Sequence, residues 1–176
     1  ALNRLWGFHL DARVLHRLAE SLGSDVPFFL RPGTALATGR GERLDYLLWL
    51  PQVLYILVYP GFPVSTRWAF QNLKLDLTKD SKYINFLNSI RESGQIQTSG
   101  LLDCLENDFL PLIETTHPQV REVRDRLTDL GASAVSLSGS GSTFFGIFSG
   151  RKMALEAHVQ LEQDGYQAYC CCPVLD

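Results

Sequence analysis

No excess of basic charge marks this sequence: sixteen Lys and Arg stand against nineteen Asp and Glu, a net charge of -3, and the sequence pI is near 5.8. That balance leaves no broad electropositive field for a polyanion, so nucleic acid is not an expected partner. Long hydrophobic runs are also missing. The longest, Tyr46 to Tyr59, is interrupted by Pro51 and Gln52 and falls short of the roughly 20 residues that cross a bilayer. No charged start, apolar block and small-residue cleavage site follows Ala1, so neither a membrane partner nor a secretory leader is expected. Cysteine is scarce: Cys104 stands alone, and Cys170, Cys171 and Cys172 are adjacent. Three consecutive residues cannot converge on one metal ion or make the spaced pairs of a knuckle. On a strand they alternate faces, as small apolar residues of a buried C-terminal segment. A soluble protein of the reducing cytoplasm is the expectation.

What is present suffices for a core. With 176 residues, 45% hydrophobic and 11% aromatic, the chain has the material for one ordinary domain or two small ones. Asp11 to Gly23 reads as a helix, with Asp11 as its cap, Val14, Leu15, Leu18 and Leu22 on one face, and Gly23 as its stop. A turn at Ser24-Asp25-Val26-Pro27 and a short strand at Phe28-Phe29-Leu30 should follow, then a second strand over Thr34 to Thr38 closed by Gly39-Arg40-Gly41-Glu42. Val53 to Tyr59 is dense in β-branched and aromatic residues and predicts a buried strand. Asn72 to Lys82 is polar and loop-like; Tyr83 to Glu92 and Leu101 to Glu106 are helical candidates. Pro118 at a helix start, Val120, Val123, Leu127 and Leu130 at helical spacing, and Gly131 at the end predict a further helix.

The last third alternates: Ala132 to Leu137 strand, Thr143 to Phe148 strand, Lys152 to Asp164 helix, Tyr166 to Cys172 strand. With Val53 to Tyr59 as the first strand, the order is that of the split βαβ, or ferredoxin-like, plait. Residues 1–55 do not fit inside that plait, so the α+β chain divides into 1–55, the end of a larger domain, and 56–176, a complete smaller one.

Four features carry possible chemistry. Ser138-Gly139-Ser140-Gly141-Ser142 lies between two strands, where glycines let N–H groups turn inward and hydroxyls add donors, as in an anion nest; the alternative is a tight hairpin. It is neither a Walker A loop nor a nucleophile elbow. Asp25, outside regular structure and braced by Pro27, suits a general base, or is a turn aspartate bonded to its own backbone. Arg40 can reach a phosphate or simply be solvated. Phe70 can stack on a planar base or pack in the core. His9, His16, His117 and His158 share no spacing that indicates a metal site or triad, and no protein-held metal is expected.

Taken together, several segments resemble one family. Leu22-Gly23-Ser24-Asp25-Val26-Pro27-Phe28-Phe29-Leu30 with Gly39-Arg40-Gly41-Glu42-Arg43-Leu44, then Tyr59-Pro60-Gly61 with Val64-Ser65-Thr66 and Phe70, then Glu106-Asn107-Asp108-Phe109, and finally Leu137-Ser138-Gly139-Ser140-Gly141-Ser142-Thr143-Phe144-Phe145 are similar to the 4-diphosphocytidyl-2-C-methyl-D-erythritol kinases of the GHMP superfamily, which act in non-mevalonate isoprenoid biosynthesis. The resemblance implies a kinase using ATP and Mg²⁺ on the small molecule 4-diphosphocytidyl-2-C-methyl-D-erythritol. It implies that Asp25 is the catalytic base, that Phe70 stacks on cytosine with Ser65 and Thr66 beside it, that Arg40 lies near the substrate, and that Gly139, Ser140 and Gly141 line the reaction centre. It further implies that residues 1–55 are the rear of the ATP-binding, ribosomal protein S5 domain 2-like domain. The family's lysine motif and its Gly/Ser-rich ATP loop have no counterpart here; that loop runs into an Ala-Leu-Asn segment, which is where Ala1-Leu2-Asn3 stands. The expectation is therefore a C-terminal fragment, inactive by itself. Two rivals remain: another GHMP kinase acting on mevalonate-type or homoserine-type substrates, and a non-catalytic plait binding a small effector or RNA through Phe144, Phe145 and Phe148.

Overall fold

The computed structural model describes residues 2–47, 53–74, 86, 88, 98–103 and 105–173. The chain divides into two compact units, Ala1–Leu50 with Val174–Asp176, and Pro51–Pro173. The division falls ahead of the 55/56 boundary expected from sequence because Leu54 and Tyr55 are already hydrogen-bonded into a sheet, opposite Phe148 and Ile147.

In the first unit, helix α1 (Leu2–Leu5) leads into a turn that Asn3 closes: its Nδ2 donates to the Leu10 carbonyl at 3.1 Å, and its Oδ1 accepts the Leu10 N–H at 3.0 Å. Helix α2 (Ala12–Leu22) begins where Asp11 Oδ1 accepts the Val14 N–H at 2.9 Å and ends where the Gly23 N–H donates to Ala19. The apolar stripe read from its period is not sealed from solvent. Val14 and Leu15 are half-buried, Ala19 is buried, and Leu22 is 79% exposed. Val26–Leu30 forms a 3₁₀ helix, correcting the strand expected at Phe28 to Leu30. Pro27 presets a helical φ, and the Asp25 carbonyl accepts the Phe28 N–H at 3.3 Å, so a helical turn forms. Strands β1 (Thr34–Thr38) and β2 (Arg43–Leu47) pair antiparallel, Ala35 opposite Tyr46 and Ala37 opposite Leu44. The Gly39–Glu42 turn joins them, with Gly39 and Gly41 at φ of +72 and +114°.

The second unit runs β3 (Leu54–Tyr59), α3 (Thr66–Asn72), α4 (Thr98–Asp103), α5 (Leu110–Thr116), α6 (Val120–Asp129), β4 (Ala134–Leu137), β5 (Phe144–Phe148), α7 (Arg151–Gln163) and β6 (Gln167–Cys171). Its sheet order is β4-β5-β3-β6, every neighbour antiparallel, which is the plait that the strand sequence predicted. Alternation on β3 and β5 turns Ile56, Val58, Phe144 and Phe148 to one face, where they join Val120, Val123 and Leu127 of α6 and Ala154, Ala157 and Leu161 of α7 in one cluster. Between them, Gly146 lets α6 approach closely: a Cβ there would sit 3.1 Å from the Leu127 side chain. Cys170 packs against this core, and Cys171 alternates to the other face. Apart from Phe86 and Asn88, the helical candidate Tyr83 to Glu92 lies outside the described residues, as does Cys104. Helix α4 begins at Thr98, ahead of the predicted Leu101.

Candidate functional site

Asp25 and Arg40 belong to the first unit; Ser65, Thr66, Phe70, Gly139, Ser140 and Gly141 belong to the second. Asp25 is exposed and stands at the start of the 3₁₀ helix, where its side chain makes no capping bond. The self-bonded turn aspartate is thus not what forms. The Gly39–Glu42 turn lies against it, since a Cβ on Gly41 would come 3.0 Å from Asp25 Oδ1. This closeness ties two segments that the sequence presented as separate motifs. Glu42 shapes that turn: its Oε2 accepts the Arg40 N–H at 2.9 Å. Hydrogen bonds from its own N–H and from that of Arg40 hold its carboxyl below the usual glutamate range. The Arg40 backbone is therefore fixed, while its residue is exposed.

In the second unit, the Pro60-Gly61 turn carries the chain from β3 to α3. Ser65 is the N-cap of α3, its Oγ accepting the Trp68 N–H at 3.3 Å, so this hydroxyl already has a structural partner. Thr66 Oγ1 lies 3.1 Å from Ser140 Oγ, joining the first turn of α3 to the glycine loop. One turn further, on the same face as Thr66, Phe70 is 63% exposed. Its ring stands edge-on to Phe109, centroids 5.0 Å apart. Phe70 is therefore not a core residue; it is an oriented aromatic open to solvent.

The Ser138–Ser142 loop is more tied down than a nest of free donors. The Ser138 N–H donates to Thr143 at 2.8 Å, the Gly141 N–H donates to Ser138 at 3.0 Å, and the buried Ser142 hydroxyl donates to the Phe62 carbonyl. Gly139 and Gly141 take φ of +56 and +92°. A Cβ on Gly139 would meet nothing within 4 Å, whereas one on Gly141 would press on Leu137 at 3.2 Å. The loop thus presents Gly139 outward and seats Gly141 on the core.

Sequence reasoning missed the group that holds this loop in place. Asn107 Nδ2 donates to the Leu137 carbonyl at 2.8 Å and to the Gly139 carbonyl at 2.9 Å, while its Oδ1 accepts the Phe109 N–H at 2.9 Å. In the sequence it stood within Glu106-Asn107-Asp108-Phe109, one of the segments carrying the resemblance, as an Asn-Asp pair just ahead of a helix start, with no role assigned to it. Phe62 and His117, stacked at 4.7 Å with Trp68 edge-on to His117, form a further cluster that no spacing announced.

Phe144 and Phe148 are wholly buried among helices. Only Phe145 turns to the other face, edge-on to Tyr55, so the RNA-platform rival loses two of its three aromatics. No described helix is long and apolar enough to cross a membrane.

Residues 84–174 match the family model described as "GHMP kinases C terminal". The 4-diphosphocytidyl-2-C-methyl-D-erythritol kinase of Syntrophus aciditrophicus is 38% identical over 176 residues, covering all of this chain and 61% of the relative. A crystal structure of 4-(cytidine 5'-diphospho)-2C-methyl-D-erythritol kinase superposes with a TM-score of 0.77 at 31% identity, over 99% of this chain and 61% of that one. A homoserine kinase from Cytophaga hutchinsonii, 16% identical with a TM-score of 0.70 over 99% of this chain and 61% of its own, shares the fold. The chain spans about three fifths of the relatives it matches. With the family model covering more than half of its length, the chain belongs to the GHMP kinase family.

Proposed function

We propose that this chain is the acceptor-side portion of an ATP-dependent kinase that phosphorylates the 2-hydroxyl of 4-diphosphocytidyl-2-C-methyl-D-erythritol in isoprenoid biosynthesis, within the cytoplasm. The observation that carries this reading is the whole-length similarity to kinases of that name, joined to a carboxylate, Asp25, that no cap occupies. In this reading Asp25 accepts the proton of the 2-hydroxyl as its oxygen bonds to the γ-phosphorus of ATP and the bond to ADP breaks. Phe70 stacks on cytosine with Ser65 and Thr66 beside it, and Arg40 lies near the substrate. Gly139, Ser140 and Gly141 line the reaction centre. Mg²⁺ accompanies the phosphates in this chemistry. Among the described residues no three His, Cys, Asp or Glu side chains gather at one point.

The first unit is, on this reading, the rear of an ATP-binding domain. Support comes from its apolar surface: Leu5, Trp6, Phe8, Leu22 and Phe29 are all more than half exposed, as expected of an element made to be covered.

In a full-length version of the kinase, Asp25→Asn is expected to lower kcat by about 10²–10⁴-fold with substrate binding largely kept. Retained turnover excludes Asp25 as the base. Phe70→Ala should chiefly raise KM, and an unchanged KM counts against stacking. The 176 residues alone should give no turnover and bind ATP very weakly, which calorimetry measures. A substrate panel separates this reading from a mevalonate-type or homoserine-type kinase.

A further inference from the structure

The glycine loop's shape is not explained by its glycines alone. Positive φ at Gly139 and Gly141 makes the turn accessible without selecting it over the other turns glycine permits. Something must choose one. Among the described residues, groups that reach the loop from outside include Thr66 at Ser140, the Phe62 carbonyl at Ser142, and Asn107 at both Leu137 and Gly139. The first is a single hydroxyl pair among exposed residues, and the second anchors the loop's far end. Of these three, it is Asn107 that bridges the last residue of β4 to the outward glycine.

The chemistry of the bridge is specific to an amide. The carbonyls of Leu137 and Gly139 are acceptors only, so the group between them must supply two donors, and Asn107 supplies both from Nδ2. The remaining partner, the Phe109 N–H, needs an acceptor on that same side chain. Asparagine supplies this set in one planar group, whereas an ionised aspartate of equal size supplies none of the donors. The third bond carries the linkage onward, because Phe109 is the residue against which Phe70 stands edge-on. One side chain therefore fixes the loop that would line the reaction centre and the aromatic that orients the base-stacking ring.

We propose that Asn107 is a positioning residue: it holds the Ser138–Ser142 loop in its working conformation and sets its register against Phe70. This rests on the kinase reading above, and two measurements keep the two apart. The first needs no activity. In this chain, hydrogen exchange of Asn107→Asp, with Asn107→Ala alongside, should accelerate by about tenfold at the Ser138 and Gly141 amides while amides of the central strand β3 stay within about twofold. Unchanged loop exchange overturns the proposal. Acceleration spread evenly through the sheet also overturns it, because Asn107 would then be a general stabiliser.

The second measurement uses the full-length kinase. Asn107→Asp should lower kcat about thirtyfold with KM for the cytidyl substrate within about twofold, the mark of lost alignment rather than lost binding. A kcat within about twofold of the parent overturns the assignment. If the parent enzyme itself fails to turn over this substrate, the kinase reading falls instead, and loop exchange alone decides the role of Asn107.

Discussion

The two units differ in what their apolar residues do. In Pro51–Pro173, alternation on the strands and helical spacing in α6 and α7 meet in one place, and Ile56, Val58, Val120, Leu127, Phe144, Phe148 and Leu161 are all sealed from solvent. In Ala1–Leu50 the buried residues among those described are Ala19, Pro27 and Leu36, while large side chains from Leu2 to Leu30 stay in water. Local structure is not what separates them, since the first unit has a capped helix and a well-registered hairpin. The lesson is that capping and pairing can specify an element without closing a core around it.

The largest test of this contrast is truncation. Phe144→Ala should destabilise the second unit by about 3–5 kcal/mol, the usual cost of a cavity in a close-packed core, read as a shifted urea midpoint by circular dichroism. Phe29→Ala, in a residue 79% exposed, should change stability by under about 0.5 kcal/mol. Equal costs would break the comparison.

Adding a methyl group sharpens it. Gly146→Ala places a Cβ 3.1 Å from Leu127, 3.2 Å from Ala132 and 3.2 Å from Phe148, so a destabilisation of about 1–3 kcal/mol is expected from overpacking. Because the backbone at Gly146 has no positive φ, crowding is the sole cause. A midpoint matching the parent would mean that α6 is free to shift away from the sheet.

The same contrast explains what the sequence revealed. The plait was legible because its periodic residues all find one another: Val120, Val123 and Leu127 were read at helical spacing, and each is buried by the sheet that the strand order predicted. In the first unit the period of Val14, Leu15, Leu18 and Leu22 was equally clear, yet burial did not follow, because burial depends on a partner surface and not on the pattern. The strand expected at Phe28 to Leu30 failed for a local reason, the helical turn that Pro27 starts. Of the candidate site, residue types in unusual settings could be singled out, and Asp25 and Phe70 proved exposed rather than absorbed by cap or core. Asn107 could not be found that way, because its role lies in a bond spanning 32 residues to Gly139.

The smallest effects separate the units by pH. In the second unit, burial raises the Tyr55 hydroxyl above its ordinary value. Burial, reinforced by nearby Glu122 and Asp164, does the same to Tyr166, and burial followed by the neighbouring Cys171 raises the Cys170 thiol. Each of these acids holds its proton more tightly when folded. The stability they contribute is complete below the ordinary thiol and tyrosine values of about 8.5 and 10 and is lost as pH rises through the folded ones. In the first unit the displaced group is Glu42, and its shift is downward, so its contribution is present above the ordinary glutamate value and lost as pH falls through the folded one. The urea midpoint of the second unit should therefore drop between about pH 8 and 10.5, and Tyr55→Phe should shrink that drop. The Arg40 amide should lose protection from exchange only in acid, a loss that Glu42→Gln removes. An alkaline drop undiminished by Tyr55→Phe would show that the buried hydroxyl is not what alkali acts upon. Loss of Arg40 protection at neutral pH would show that the Gly39–Glu42 turn is held by something other than its carboxylate.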